Sequence, residues 1–265
     1  MLVAPNHPWG AQGTLLKKRF GQHFLTNPAI LQRIAEFARI RPSNTVIEIG
    51  PGAGTLTLEL SKRTRRVIAI EIDHDLIPSL RATMPPNVEV IEGDALEVPF
   101  PDEPFQVVGN LPYNVATPLL KRFIEFRDRI LDVTAMVQKE VAERLTAEPS
   151  TREYGPLSVL VQHYATATYG FTVPPGAFKP RPKVDSAVVR LEWKTGVPDN
   201  RGFTDFVHRA FTSRRKKLLN NLLSMFGPLG RDEVLRRMTN ADVPANARPE
   251  DVSVTQFLRV YNQFR

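Results

Sequence analysis

One stretch of nine residues, Val46 to Gly54, limits the folds open to this chain more than any other. It follows Thr45 and begins as a short apolar run rich in β-branched residues, which is typical of a strand covered on both faces. The glycines that come next let the backbone turn sharply and leave no side chain between it and a ligand. Residues 55–60 continue with apolar positions at helical spacing. The pattern predicts the first unit of a nucleotide-binding α/β sheet, although alone it also fits a tight turn without a ligand.

Polar side chains at the ends of the next three predicted strands favour the ligand-binding interpretation. Glu71 ends a second strand about 20 residues after the glycines, where nucleotide-binding folds place the acid that accepts both ribose hydroxyls. Asp94 follows a third strand, Val88 to Ile91, and Asn110 follows a fourth, Phe105 to Gly109. Because the carboxyl ends of parallel strands meet at one edge of a sheet, we expect these three side chains to lie beside the same ligand.

The rest of the chain predicts the completion of this sheet and a separate helical region. A fifth strand spans residues 133–137, and two further runs, 167–173 and 186–193, are joined closely enough to pair as an antiparallel hairpin. The predicted fold is α/β and Rossmann-like, with a mostly parallel seven-stranded sheet that ends in an antiparallel hairpin, as in class I methyltransferases. A small all-helical C-terminal domain follows. The predicted domains are a basic arm at residues 1–26, the sheet domain at 27–194 and the helical domain at 195–265.

The charge is uneven along the chain, and this unevenness indicates a polyanionic partner. Within a net charge of +7, residues 43–175 carry 12 basic and 18 acidic side chains, whereas residues 195–265 carry 12 basic and 7 acidic ones. An acidic core flanked by basic segments is expected to grip a polyanion outside the nucleotide pocket, and a basic surface that only confers solubility is the alternative. The candidate RNA contacts are Lys17, Lys18, Arg19, Lys179, Arg181, Lys183, Arg214, Arg215, Lys216 and Lys217.

The composition argues against several kinds of site. The chain has no cysteine, which excludes disulfides and thiolate metal sites and fits a reducing, cytoplasmic location. No window approaches 18 uninterrupted apolar residues, and the first ten residues lack the basic and apolar regions of a signal peptide. The five histidines show no metal-ligand spacing. We therefore expect no membrane association, no metal and a monomer.

A proline-rich loop at residues 174–185 carries an aromatic residue among cations. Phe178 is followed by Lys179, Arg181 and Lys183. An exposed aromatic side chain between cations is typical of a surface on which a base stacks, which contributes about 1–3 kcal/mol per base. The alternative is that Phe178 packs back on the sheet.

The tetrapeptide Asn110-Leu111-Pro112-Tyr113 indicates a particular chemistry. The exocyclic amine of a base is a poor nucleophile because its lone pair is delocalised into the ring. The Asn110 side-chain oxygen and the Leu111 carbonyl are suited to accept both amine hydrogens, and Pro112 fixes the turn. Tyr113 can stack on a base that has left its helix or is unpaired, with Phe178 covering the other face. A proline turn that caps a strand, with the tyrosine in the core, is the alternative.

Six segments match a known family in the family's own order and cover most of the chain. They are Phe20 to Leu25, Glu48 to Gly54, Glu71 to Asp73, Gly93 to Ala95, Asn110 to Tyr113 and Phe178 to Ser186. On these segments the chain resembles the ribosomal RNA adenine N6-dimethyltransferases, in particular the bacterial enzymes of the small subunit. The helical tail is included in the resemblance.

The resemblance implies a methyl donor, a substrate and a set of contacts. The donor is S-adenosylmethionine, and the acceptors are two adjacent adenines in a hairpin loop near the 3′ end of small-subunit RNA, each methylated twice in the immature 30S particle. The implied cofactor contacts are His23, Leu25, Gly50, Gly52, Gly54, Glu71, Asp94 and Asn110. Among them Glu71 is expected at the ribose hydroxyls, Asp94 at the adenine amine and Asn110 at the methionine end. His23 departs from the family, in which many relatives carry asparagine.

Two rival functions remain open. One is the related large-subunit RNA methyltransferase that confers macrolide resistance, but Leu111 and the loop from Phe178 to Ser186 favour the small-subunit enzyme. The other is a mainly non-catalytic ribosome assembly factor, against which the complete motif set argues.

Overall fold

The computed structural model describes residues 23–213 and 216–265. Most of the predicted basic arm, including Lys17, Lys18 and Arg19, lies outside these ranges, as do Arg214 and Arg215. Within the ranges the strands are β1 (Phe24–Leu25), β2 (Thr45–Ile49), β3 (Arg66–Glu71), β4 (Val88–Glu92), β5 (Phe105–Asn110), β6 (Ile130–Gln138), β7 (Ala165–Val173), β8 (Phe178–Lys179) and β9 (Ser186–Trp193).

The helices lie between these strands and after the last of them. They are α1 (Pro28–Phe37), α2 (Thr55–Ser61), α3 (Ile77–Thr83), α4 (Ala116–Glu125), α5 (Lys139–Thr146), α6 (Pro156–Tyr164), α7 (Arg201–Ala210), α8 (Leu218–Phe226), α9 (Arg231–Asn240) and α10 (Val254–Phe264). Side-chain caps fix two of the helix starts. Asn27 accepts hydrogen bonds from the first-turn backbone of α1, and Ser253 forms a capping box with Gln256 at the start of α10.

A seven-stranded sheet carries the larger part of the molecule, as the sequence predicts. Its strand order is β4-β3-β2-β5-β6-β9-β7. The first five strands are parallel, and β9 pairs antiparallel with both β6 and β7. Every residue of β2 is buried, as expected for a strand covered by helices on both faces. Because β9 runs in the opposite direction, its amino end lies at the edge where the parallel strands end.

The core is divided among the two faces of the sheet and the C-terminal helices. One apolar cluster includes Ile47 and Phe123, and the cluster on the other face includes Ile34 and Phe178. The helical region has its own cluster, which extends back to residues of α6 and to Tyr154 before it. The Tyr154 hydroxyl donates to the Val252 carbonyl at 2.9 Å, so the helical region packs on α6 rather than only on residues after 194.

A second, two-stranded sheet ties the start of the described chain to the proline-rich loop. Strands β1 and β8 pair antiparallel, with Phe24 opposite Lys179 and Leu25 opposite Phe178. Thr26 extends the contact, because its backbone N–H donates to the Ala177 carbonyl at 2.9 Å. This small sheet places residues 23–26 over the glycine turn.

Candidate active site

A cavity lies at the carboxyl ends of β2, β3 and β5, where the sequence places a ligand. Its lining includes most of the predicted site residues, namely His23, Leu25, Gly50, Gly52, Glu71, Asp94, Asn110, Leu111, Pro112 and Tyr113. Gly54 and Phe178 are not part of this lining. The structure therefore brings together the side chains that follow three successive parallel strands, as expected for an α/β sheet.

The glycines of the turn after β2 serve two different purposes. Gly50 and Gly52 have φ angles of +66° and +56° and line the cavity, so the turn presents bare backbone to it. A Cβ atom on Gly52 would lie 2.7 Å from the Phe24 ring, which packs against it. Gly54 faces away, because a Cβ atom there would lie 2.5 Å from Met84 Cε beside α3. The prediction of a cofactor contact at Gly54 is not supported by its position, since it permits close helix packing instead.

Glu71, at the end of β3, joins the strand to the glycine turn. Its Oε2 accepts a hydrogen bond from the Gly52 N–H, and its Oε1 accepts one from the Asp73 N–H, both at 2.9 Å. Burial raises the pKa of the Glu71 carboxyl, while these two N–H groups oppose the rise. The carboxylate is thus held in one orientation beside the cavity, with lone pairs left on both oxygens for hydroxyl donors.

Glu48, in the middle of β2, is a cavity residue to which the sequence analysis assigned no function. It is 1% exposed, and no described residue hydrogen-bonds its Oε2. Burial, together with the nearby charge of Glu71, raises the pKa of the Glu48 carboxyl to about 8. A signal for it exists in the sequence, because an acid inside a strand with both faces covered is costly unless it serves a site.

Asp94, which follows β4, also lines the cavity. Its Oδ1 accepts a hydrogen bond from the Leu96 N–H at 2.8 Å, which fixes the side chain in a turn. Together with Glu48 and Glu71 it gives the lining three carboxyl groups, and no lysine or arginine of the described residues lines the cavity. With Glu48 protonated at neutral pH, the carboxylates of Glu71 and Asp94 favour ligands that carry positive charge and hydroxyl or amine donors, and they disfavour phosphate groups.

Asn110, the last residue of β5, presents a free acceptor. Its Nδ2 donates to the His23 carbonyl at 3.1 Å, and its Oδ1 is buried without a hydrogen-bond partner among the described residues. Because a carbonyl oxygen only accepts, the amide nitrogen must face His23 and the Oδ1 must face the other way. A buried acceptor without a partner is unfavourable in the free protein, and it indicates a donor supplied by a ligand.

Leu111 and Pro112 shape the chain directly after β5. The Leu111 side chain is 1% exposed, and its N–H donates to the Met136 carbonyl at 3.0 Å, which fixes the peptide that follows Asn110. The Pro112 carbonyl accepts from the Val115 N–H at 3.0 Å and closes a turn. No described residue donates to the Leu111 carbonyl. Two fixed acceptors, Asn110 Oδ1 and this carbonyl, therefore come from adjacent residues at one point of the lining.

Tyr113 and His23 are two aromatic residues of the lining, which also contains Phe24. Their ring centroids are 5.8 Å apart with the planes tilted by 33°. The Tyr113 hydroxyl lies 2.6 Å from Ser186 Oγ, and the His23 Nδ1 lies 3.0 Å from the Pro180 carbonyl. Because that carbonyl accepts only, His23 Nδ1 carries the proton. The alternative that Tyr113 is a core residue is wrong, since it lines the cavity and is only partly buried.

Phe178 lies in the core, contrary to the prediction that it covers a base. It is 3% exposed and pairs with Leu25 through the small sheet of β1 and β8. The alternative of packing back on the sheet is the correct one, because the ring belongs to the apolar cluster that contains Leu31 and Val188. The described aromatic residues that accompany Tyr113 in the lining are His23 and Phe24 instead.

The predicted cationic contacts that the structure describes are all exposed. Lys179, Arg181 and Lys183 lie on the proline-rich loop, and Lys216 and Lys217 precede α8. Lys179 pairs with Phe24, a lining residue, so the loop adjoins the mouth of the cavity. Within the described ranges none of these five cations forms an ion pair with an acidic side chain. Their charge is free for a polyanion.

The described residues contain neither a metal-ligand cluster nor a membrane-spanning helix. No group of three or more His, Asp or Glu side chains there is placed to hold a metal ion. Among the helices of residues 23–213 and 216–265, none has the length and apolar character needed to cross a bilayer.

Comparisons with known proteins agree on one family. The family model described as ribosomal RNA adenine dimethylase matches residues 13–265. The ribosomal RNA small subunit methyltransferase A of Acinetobacter baylyi is 40% identical over 263 residues, with 95% of this chain and 93% of that protein covered. The protein of the same name from Streptococcus pneumoniae is 41% identical over 262 residues, covering 92% and 90%.

Solved structures give the same result for the fold. A dimethyladenosine transferase from Plasmodium falciparum superposes with a TM-score of 0.79 at 28% identity, over 90% of this chain and 96% of that one. The 23S rRNA methyltransferase ErmE superposes with a TM-score of 0.74 at 31% identity, over 91% and 98%. Both likenesses extend beyond the sheet into the helical region, as their coverage requires.

Proposed function

The chain belongs to the ribosomal RNA adenine dimethylase family, and from that premise we propose its substrate and the function of its site residues. It transfers methyl groups from S-adenosylmethionine to N6 of two adjacent adenines in the 3′-terminal hairpin loop of small-subunit ribosomal RNA, which yields N6,N6-dimethyladenosine. The acceptor is the immature 30S subunit, so that the reaction accompanies small-subunit biogenesis.

The lining of the cavity fits this cofactor. S-adenosylmethionine carries a ribose, an adenine and two positively charged groups, and it has no phosphate. Glu71 would hold the ribose hydroxyls and Asp94 the adenine amine, while Gly50 and Gly52 leave the turn bare for close approach. The carboxyl groups, and a described lining that holds no lysine or arginine, suit a cation and disfavour a pyrophosphate-bearing dinucleotide. When bound, this cofactor supplies an electrophilic methyl carbon on a sulfonium centre.

One observation carries the proposal for the chemistry, namely the buried and unpartnered Oδ1 of Asn110. An adenine amine has two hydrogens, and the site offers two adjacent acceptors, Asn110 Oδ1 and the Leu111 carbonyl. When both hydrogens are accepted at once, the nitrogen lone pair turns out of conjugation with the ring and becomes nucleophilic. The His23 carbonyl holds the Asn110 amide in this orientation before the substrate arrives. After one transfer the nitrogen is positively charged and releases one proton to solvent, and the neutral amine keeps one hydrogen, so a second methylation is chemically possible.

The remaining residues of the site bind the base and its RNA. The Tyr113 ring supports the splayed-out adenine by stacking, which contributes about 1–3 kcal/mol per base in single-strand recognition. The exposed cations Lys179, Arg181 and Lys183 next to the cavity mouth would contact the phosphates that flank it. Lys216 and Lys217 would extend this contact to the helical domain. This division matches the acidic lining, which disfavours the entry of a phosphate group.

The small subunit is the proposed acceptor because of the names of two relatives and the large share of this chain that they match. The two relatives named as small-subunit enzymes share 40% and 41% identity with more than nine-tenths of this chain. The structure named as a 23S rRNA methyltransferase shares 31% identity. Leu111 and the loop that ends at Ser186 also favour the small-subunit form.

The experiment that tests this proposal offers both substrates to the full-length protein. Isolated small and large ribosomal subunits, each lacking the modification, are incubated with enzyme and labelled methyl donor. The RNA is then digested to nucleosides for mass analysis, and primer extension maps the modified positions. We expect dimethyladenosine at two adjacent adenines of the small-subunit RNA only. Label on large-subunit RNA, or no label on either RNA, would overturn the proposed substrate.

A further inference from the structure

Tyr113 is tethered from across the sheet by a buried serine. The two hydroxyl oxygens are 2.6 Å apart, and Ser186 itself is 0% exposed. Tyr113 follows β5, whereas Ser186 begins β9, and β6 lies between these strands. The tyrosine side chain therefore spans the end of β6 to reach its partner, over a gap of two strand spacings of about 4.8 Å each.

The direction of β9 explains why Ser186 can reach the site. Parallel strands present their last residues at the active edge, but β9 runs antiparallel and presents its first residue there. Ser186 pairs with Gln138, the last residue of β6, and with Val173, the last residue of β7. Because its backbone is held on both sides, its hydroxyl is a rigid point at the active edge.

We propose that Ser186 is a positioning residue for the substrate base, which it places by fixing the plane of the Tyr113 ring through the hydrogen bond between their hydroxyls. This inference rests on the proposed function, since it takes Tyr113 as the surface on which the target adenine stacks. Ser186 touches neither the cofactor nor the base. It acts on the reaction only through the tyrosine.

The hydrogen bond to Ser186 limits the positions that the Tyr113 ring can take. Only part of this side chain is buried, so packing restrains only part of the ring, and the hydrogen bond to Ser186 fixes its hydroxyl end. Burial raises the pKa of the Tyr113 phenol, which therefore stays protonated and can donate to Ser186. At the upper end of its range, a hydrogen bond between neutral groups shifts the equilibrium between the bonded and unbonded positions of the ring by about tenfold. A ring that leaves the stacking plane removes the adenine amine from Asn110 and Leu111, and small misplacements are costly in rate.

A purely structural function for the bond is the competing explanation, and the chain contains a matched control for it. In the neighbouring strand β7 the Tyr169 hydroxyl lies 2.7 Å from Thr172 Oγ1. This is the same kind of tyrosine–hydroxyl pair, and neither residue lines the cavity. Thr172→Ala therefore removes a tyrosine–hydroxyl hydrogen bond, here an exposed one, without touching the site.

The experiment compares Ser186→Ala, Tyr113→Phe, their double variant, Ser186→Thr and Thr172→Ala in the full-length protein. It measures kcat on small subunits, KM for the subunit and the Kd of S-adenosylmethionine. We expect kcat to fall about tenfold, and at least fivefold, in both single variants, with the cofactor Kd within twofold of wild type. The double variant should lose no more than the single ones, because both remove the same bond. Ser186→Thr restores the hydroxyl and should recover most of kcat, and Thr172→Ala should stay within twofold of wild type.

Three results would overturn the inference: a loss below fivefold in Ser186→Ala, losses that multiply in the double variant, or an equal loss in Thr172→Ala. If Ser186→Ala does not fold, Tyr113→Phe decides, because it removes only the phenol oxygen. A wild-type rate for that variant would then overturn the inference. Failure of the proposed function is distinguishable, since the wild-type protein would then form no dimethyladenosine at all.

Discussion

Replacing Glu48 by glutamine should change how the stability of the cofactor-free protein depends on pH. The carboxyl is 1% exposed with an unpartnered Oε2, and its pKa is raised to about 8. Between the ordinary carboxyl pKa of about 4.5 and about 8, the unfolded chain has released this proton while the folded protein still holds it. Each pH unit in this window therefore disfavours the folded state by about 1.4 kcal/mol.

The magnitude follows from the width of that window. From pH 5 to pH 9 the wild-type protein should lose about 4 kcal/mol through this one group, because the loss stops near pH 8. Glutamine has the same shape and no charge, so Glu48→Gln lacks this loss. A kcal/mol corresponds to about 2–4 °C in Tm for a chain of this size. The variant should thus match the wild-type Tm near pH 5 and exceed it by about 10 °C at pH 9.

Thermal unfolding of both proteins without cofactor, from pH 5 to pH 9, measures the difference in Tm at each pH. Titrating groups that do not interact with Glu48 affect both proteins alike and cancel in the difference, whereas the interaction of Glu48 with Glu71 is part of the effect that is measured. Glu36→Gln, at an exposed carboxylate on α1, is the control and should leave the wild-type profile unchanged. A difference in Tm that is flat across the range would refute the argument, because Glu48 would then titrate alike in both states.

Three further outcomes are expected. Asn110→Ala should abolish methylation and leave subunit binding intact, since the exposed cations lie elsewhere; loss of binding as well in a filter-binding assay would contradict separable functions. Gly52→Ala should weaken cofactor affinity, measured by calorimetry, at least tenfold. Alanine is strained at φ +56°, and its Cβ would lie 2.7 Å from the Phe24 ring. An unchanged Kd would count against the turn as part of the cofactor-binding site. RNA affinity should fall steeply as the salt concentration rises. The double variant with Lys216→Ala and Lys217→Ala should reduce the slope of log affinity against log salt concentration by about 2. An unaltered slope would exclude both lysines as phosphate contacts.

The sequence predicts the parallel part of the sheet well because local patterns determine it. The strands β2 and β3 begin and end where the apolar runs do, and Glu71 and Asn110 stand at strand ends. Alternation in residues 186–193 and the short loop before them predict the antiparallel hairpin. The insertion of β9 between β6 and β7 does not follow from these patterns, because the order of strands depends on which edges meet in the folded sheet. The Tyr113–Ser186 bond depends on that order.

Phe178 shows where pattern reasoning fails in this chain. Prolines and cations around an aromatic residue are typical of an exposed loop, and nothing local marks the ring as buried. It is buried because β8 pairs with β1, a strand of two residues more than 150 positions earlier in the chain. So short and distant a pairing leaves no periodicity in the sequence. Gly54 is similar, since the contact with Met84 that explains it comes from another element.

The most direct measurement is a crystal structure of the protein with S-adenosylmethionine or its demethylated product bound. The account predicts the ribose at Glu71, the adenine at Asp94 and the sulfur beside Asn110, with open space between Asn110 Oδ1 and the Tyr113 ring for a purine. A ligand bound away from Asn110, or a cavity closed to a purine at that point, would contradict the claim that methyl group and base meet at the end of β5.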